Sequence, residues 1–203
     1  MKTGVILARL QPIHNGHIEL ISKAVDENDE VYVFIGSADK FNARNPLPIS
    51  LRTQLAQDAI DEVFGSKKEY IPKGDGTTET VCKKDKIHIV ALDDLTDESD
   101  NSHDWGFYLY TKIVTTTKNP CFTIYYSDGY EIITTWFPSF VLRNNVSLAL
   151  LARGATASGI SATKVRQMIE EENEDELKKH VPICVFNNRK TIKQHIELAK
   201  LIK

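Results

Sequence analysis

The sequence has no excess of positive charge. Its 25 lysines and arginines are outnumbered by 28 acidic residues, for a formal net charge of −3. No global field therefore draws the chain to nucleic acid or to an anionic membrane, and neither is expected as a partner. Any anionic small substrate would have to be held by local clusters of Arg and Lys. Cysteine is also scarce. Cys82, Cys121 and Cys184 are odd in number, far apart and in no C-x-x-C pair. That argues against a disulfide framework or structural zinc site and for buried or reduced thiols. No apolar run is long enough to span a bilayer, and the first residues lead into a strand-like segment without a basic leader. A cytoplasmic protein is the expectation. There is no internal repeat and no low-complexity tract.

What is present is ordinary in amount and informative in pattern. Hydrophobic residues make up 41% of the chain and charged residues 26%, as in most globular proteins. A length of 203 residues suffices for one α/β domain of fair size. Short apolar runs at 4–8, 31–35, 87–92, 121–126 and 146–152 read as buried strands. Helical spacing appears between them, at Ile18, Ile21, Ala24 and Val25 and again at Leu51, Leu55, Ala59, Ile60 and Val63. Helices are also expected at 107–114, at 161–171 with Val165, Met168 and Ile169 on one face, and at 188–202 with Ile192, Ile196 and Ala199. The segment 65–86 is polar and reads as a long surface loop or small hairpin. This β-α-β-α order implies parallel strands with right-handed crossovers. The expected fold is a doubly wound, Rossmann-like α/β sheet with a helical extension over 172–203, its ligands at the carboxyl ends of the strands.

Two segments carry chemistry. Arg9-Leu-Gln-Pro-Ile-His14-Asn15-Gly16-His17 lies between the first strand and the first helix. A helix start there offers free N–H groups and a positive dipole end to an anion. Gly16 admits a phosphate or base close to the backbone, and His14 and His17 can face one anion; two surface histidines are the plainer reading. The second segment is Gly159-Ile-Ser161-Ala-Thr163-Lys-Val-Arg166, at a late helix start. Ser161 is a good N-cap. Thr163 and Arg166 are spaced to share one side of the first turn, and Arg166 adds a forked cation. Elsewhere, Trp136-Phe137-Pro138 reads as core and His88 as a satisfied histidine in a buried strand. The acidic pairs Asp93-Asp94 and Asp97-Glu98 read as solvated loop, so no metal ligand is assigned.

His14-x-Gly16-His17 together with Ile160-Ser161-x-Thr163-x-x-Arg166 resembles the H-x-G-H and I-S-x-T-x-x-R signatures of the nucleotidylyltransferase superfamily. The longer stretch from Arg9 is similar to that of the archaeal-type nicotinamide mononucleotide adenylyltransferases. The likeness continues at Ile35-Gly36-Ser37-Ala38, at Arg44-Asn45-Pro46-Leu47 with Arg52, and at Trp105. Departures are Ala8 for a glycine, Leu10 for a phenylalanine, Leu51 for a glutamate, and a longer 65–86 segment. The openings of glycerol-3-phosphate cytidylyltransferases and phosphopantetheine adenylyltransferases are absent, as is a K-M-S-K-S-like loop.

The resemblance implies one nucleotidyltransferase domain over 1–203 that joins ATP to nicotinamide mononucleotide (NMN), giving NAD and pyrophosphate. Catalysis would rest on His14, His17 and Arg166. ATP would be held by Ala8, Arg9, Leu10, Gly16, His17, Ile160, Ser161, Thr163 and Arg166, and the acceptor by Arg44, Asn45, Arg52 and Trp105. Mg²⁺ would accompany ATP with few or no protein ligands. Three readings stay open: this adenylyltransferase, a relative that adenylylates or cytidylylates another phosphorylated acceptor, and a nucleotide-binding regulator without turnover. Homo-oligomerisation stays open too.

Overall fold

In the computed structural model, residues 1–96, 102–128, 130–152 and 159–202 are described. Of the expected features, the pair Asp97-Glu98 lies outside them.

The apolar runs become the strands β1 (Thr3–Ala8), β2 (Glu30–Ile35), β5 (Ile87–Ala91), β6 (Phe122–Ser127) and β7 (Val146–Leu151). They form a five-stranded sheet in the order β5-β2-β1-β6-β7, with every neighbouring pair parallel. Both faces are covered, as parallel strands require, and alternate residues of a strand enter opposite layers. On β1, Ile6 packs with the layer of α1 (Asn15–Glu27), α2 (Ile49–Phe64), α5 (Ala162–Glu170) and α8 (Arg189–Leu201). Its neighbour Val5 packs with the layer of α3 (His103–Thr117) and α4 (Ser139–Asn144). Phe34 and Ile35 of β2 divide in the same way. The chain adds strands outward from β1 in one direction and then, from β6, in the other. The crevice between β1 and β6 is therefore the switch point at which such sheets bind ligands.

Segment 65–86 contains an antiparallel hairpin of β3 (Lys68–Pro72) and β4 (Thr78–Cys82), followed by a 3₁₀ turn at Lys83–Lys86. Lys86 ties it down by donating to the Val25 carbonyl at 3.1 Å and to Glu69 at 3.0 Å. Trp136 and Phe137 are core, at 2% and 3% exposure. His88 departs from its expected burial. β5 is an outer strand, and the His88 side chain is 42% exposed, paired with Glu30 and stacked on Tyr32.

The last third of the chain returns to the α1–α2 layer. Ile192, Ile196 and Ala199 of α8 are buried with Val165 and Ile169 of α5. The Glu62 carboxylate of α2 accepts from the N–H groups of Ile183 and Cys184, at 2.9 and 3.1 Å. It thus caps α7 (Ile183–Asn187), which follows α6 (Glu174–His180).

Candidate active site

β1 ends at Ala8, and the chain turns through residues 9–14 before α1 begins. The turn is tightly specified. Leu10 adopts a left-handed conformation, φ 49°, which costs a non-glycine residue roughly 1–2 kcal/mol. It remains only 2% exposed. Gln11 is buried; its Oε1 accepts from the Leu47 N–H at 2.9 Å and its Nε2 donates to the Leu47 carbonyl at 3.4 Å. That pins the 42–47 loop against the first motif. His14 then precedes the helix and His17 sits in its first turn. The His14 N–H donates to His17 Nδ1 at 3.3 Å, and the two rings lie 3.8 Å apart at 30°. Both imidazoles are therefore gathered at the positive end of α1.

The second motif meets the first directly. Gly159, at φ 48°, leads into the buried Ile160. Ser161 caps α5, its Oγ accepting from the Lys164 N–H at 3.3 Å. Arg166 donates to Thr163 Oγ1 at 3.5 Å and, from its other nitrogen, to the Gln11 carbonyl at 2.8 Å. Residues 155 apart in sequence are thus joined by a charge-assisted hydrogen bond. Burial first, and then the nearby Arg9 charge, lower the pKa of the Arg166 guanidinium. Burial, joined by the Arg9 charge and opposed by the Asp94 carboxylate, pushes Arg52 down to about 10. Arg9 thus stands in electrostatic reach of both other arginines, a crowding of cations that suits a polyanion.

A cleft of about 160 Å³ opens beside them, with Ala8, Arg9 and His17 on one side and Tyr126, Ser127 and Tyr130 on the other. It occupies the β1/β6 switch point. A larger, open hollow of about 650 Å³ lies at the amino ends of the same strands, beside Thr3, Asn28, Tyr125 and Arg143. It lacks the α1 and α5 helix starts and both motifs, so size does not decide between them. Gln11 lies within the first motif, but the β6-end residues Tyr126, Ser127 and Tyr130 do not stand out in the sequence. Their only signal is position, at the carboxyl end of a strand beside the switch point.

The expected acceptor residues are arranged differently. Arg44 is exposed on the loop. Asn45 is 0% exposed, and its amide nitrogen and oxygen are buried without hydrogen-bond partners. Arg52 is also 0% exposed. Its guanidinium donates to the carbonyls of Arg9, Gly36 and Ser37 at 2.9, 2.8 and 2.9 Å, so direct contact with an acceptor gives way to a grip on the backbone. Trp105 lies in the first turn of α3, where Ser102 caps the helix by accepting from the Trp105 N–H at 3.2 Å. It is 7% exposed and packs edge-on to Trp136 and tilted against Tyr108. Its indole nitrogen is buried without a partner. Among the described residues no group of three or more His, Cys, Asp or Glu side chains is placed to hold a metal ion. No helix among them is long and apolar enough to cross a membrane.

Comparisons with known proteins agree with this geometry. The nicotinamide-nucleotide adenylyltransferase of Thermococcus sibiricus is 29% identical over 206 residues, covering 98% of this chain and 88% of its own. The enzyme of the same name from Pyrococcus furiosus is 39% identical over 70 residues, 34% of this chain and 37% of its own. Among solved structures, the Plasmodium falciparum nicotinic acid mononucleotide adenylyltransferase complexed with NaAD is similar at a TM-score of 0.56 and 15% identity, over 94% of this chain and 96% of that one. The bifunctional NMN adenylyltransferase/ADP ribose pyrophosphatase of Francisella tularensis, complexed with AMP and a Mn ion, gives a TM-score of 0.57 at 19% identity. That match covers 84% of this chain and 42% of the other. At these identities the structural likeness is one of fold. A family model described as cytidylyltransferase-like matches residues 8–168, a span that holds both motifs, and the chain belongs to that family.

Proposed function

We propose that the protein transfers the adenylyl group of ATP to nicotinamide mononucleotide, forming NAD and pyrophosphate. One observation carries the reading. The Arg166 hydrogen bond to the Gln11 carbonyl sets the start of α5 against the first motif. Two helix N-termini, two histidines and two arginines then converge beside the switch-point crevice. The acceptor is inferred from the Thermococcus sibiricus relative, which aligns over nearly the whole chain.

In this reading a phosphate oxygen of the acceptor, already ionised at neutral pH, attacks the α-phosphorus in line. The bond from the α-phosphorus to its bridging oxygen breaks, and that oxygen leaves with pyrophosphate. No proton has to be removed from the nucleophile. The protein's part is positioning and charge stabilisation. His14 and His17 face the α-phosphate as its charge develops. Arg166, Thr163 and the N–H groups at the start of α5 hold the departing β- and γ-phosphates, and Arg9 and Arg44 hold phosphate oxygens of either substrate. A divalent ion such as Mg²⁺ would come with the triphosphate as part of the substrate and would supply charge neutralisation of its phosphates.

A second reading, transfer to another phosphorylated small molecule, is favoured by the covered face of Trp105, which leaves little open surface for a pyridinium ring. A pyrophosphate-release screen of ATP and CTP against NMN, its deamidated form and other phosphorylated acceptors separates the two. Turnover with ATP and NMN alone supports the first; turnover with a different acceptor replaces it.

A further inference from the structure

We infer that Arg52 is a positioning residue of this cleft, holding the Arg9 peptide and the Gly36-Ser37 turn in the arrangement that the triphosphate meets. The inference rests on the proposed reaction for the identity of the ligand, but its structural basis is independent of it.

Arg52 sits in α2, and its side chain reaches the carboxyl ends of β1 and β2. Its three hydrogen bonds all end on backbone carbonyls: Arg9 at 2.9 Å, Gly36 at 2.8 Å and Ser37 at 2.9 Å. These carbonyls border the two left-handed non-glycine residues at this end of the sheet. Arg9 directly precedes Leu10 at φ 49°, and the third carbonyl belongs to Ser37 itself at φ 50°. Neither residue is relaxed there, and such conformations persist only where the surroundings over-determine them. For Leu10 the surroundings are two arginines. Arg52 holds the carbonyl before it and Arg166 holds the Gln11 carbonyl after it. For Ser37 they are Arg52 and Asp94, which accepts from the Ser37 hydroxyl at 3.1 Å.

The residue type suits the task. A planar guanidinium can serve several carbonyls in fixed directions, whereas an ammonium is a compact charge on a flexible stem. Complete burial keeps Arg52 from the ligand, so its influence passes through Arg9 and the two turns. The charged groups bearing on it are Asp94, Arg9 and Asp39.

The test compares wild type, Arg52→Lys, Arg52→Gln and the double variant Arg52→Lys/Ser37→Gly. Pyrophosphate release is measured against ATP from about pH 6.5 to 9, where a buried lysine loses its proton and a guanidinium does not. Thermal melting is recorded alongside. Arg52→Lys should lower kcat/KM for ATP roughly 10- to 100-fold, as expected for one lost charge-assisted hydrogen bond. The deficit should widen as pH rises and the buried ammonium deprotonates. The wild-type guanidinium, at about 10, stays charged and gives no such trend. Arg52→Gln should be impaired without that added slope. Glycine at position 37 adopts positive φ without strain, so the double variant should recover part of the loss. Kinetics equal to wild type in Arg52→Lys or Arg52→Gln would overturn the inference. So would an Arg52→Lys deficit that is flat with pH, or a double variant no better than the single. Should Arg52→Lys fail to fold, Arg52→Gln carries the decision by its kinetics against wild type. If wild type itself releases no pyrophosphate, the proposed reaction fails instead, and calorimetric ATP binding by the same variants still reads the positioning role.

Discussion

Arg166→Lys keeps the charge and removes the fork. In the structure one guanidinium nitrogen donates to the Gln11 carbonyl at 2.8 Å and the other lies 3.5 Å from Thr163 Oγ1. The first joins the two motifs; the second is long and weak, so that side of the fork remains available to a phosphate. A lysine ammonium at the same place must choose between the Gln11 carbonyl and the phosphate. Losing one charge-assisted hydrogen bond costs roughly 1.5–3 kcal/mol. At about 1.4 kcal/mol per factor of ten, kcat/KM for ATP should fall roughly 10- to 150-fold. Pyrophosphate release at varied ATP and saturating acceptor measures it, with melting temperature as control. Wild-type kinetics in a folded Arg166→Lys variant would refute the argument, because the fork would then do nothing that a point charge cannot.

His17→Ala should lower kcat on the order of 100-fold or more while ATP binding by calorimetry changes little, since the histidine's interaction grows only as the transition state forms. Near-normal turnover would remove His17 from the catalytic set. Trp105→Ala should cost roughly 3–5 kcal/mol of stability, as for other buried tryptophans, and impair both substrates together. An undiminished melting temperature with a selective 3- to 30-fold rise in KM for the mononucleotide, roughly the span of cation–π energies, would instead make Trp105 the ring platform. The Cys184 thiol is pushed up to about 12 by burial and then by Glu62, and a thiol without thiolate is unreactive. Iodoacetamide at neutral pH, followed by peptide mass spectrometry, should label the exposed Cys121 well before Cys184. The reverse order would contradict the packing of α7 on α2.

The strands were legible because a doubly covered parallel sheet demands near-continuous apolar runs, and β1, β2, β5, β6 and β7 consist of little else. The long helices were legible from one buried stripe each, as with Ile192, Ile196 and Ala199. The helix α4 was not, and α6 and α7 were read only as part of a helical extension over 172–203, since five to seven residues hold too few turns for a period to show. Within the cleft, the motifs are contiguous and their residue types are unusual enough to be seen. What a sequence cannot display is the direction of a side chain. Arg44 and Arg52 look alike in the chain, yet one is exposed and the other lies wholly inside on backbone carbonyls. Trp105 is expected at the acceptor only through the resemblance, and the sequence does not show that Trp136, 31 positions later in the chain, lies against it at 5.9 Å. Tyr130 joins the cleft only because β6 ends beside β1.

Isotope transfer tests the central claim most directly. The protein is incubated with NMN and ATP labelled in either the α- or the γ-phosphate, and the products are separated. The account predicts α-label in NAD and γ-label in pyrophosphate, in equal amounts. Label from the γ-phosphate on the mononucleotide, or no transfer of α-label to any phosphorylated acceptor, would contradict it.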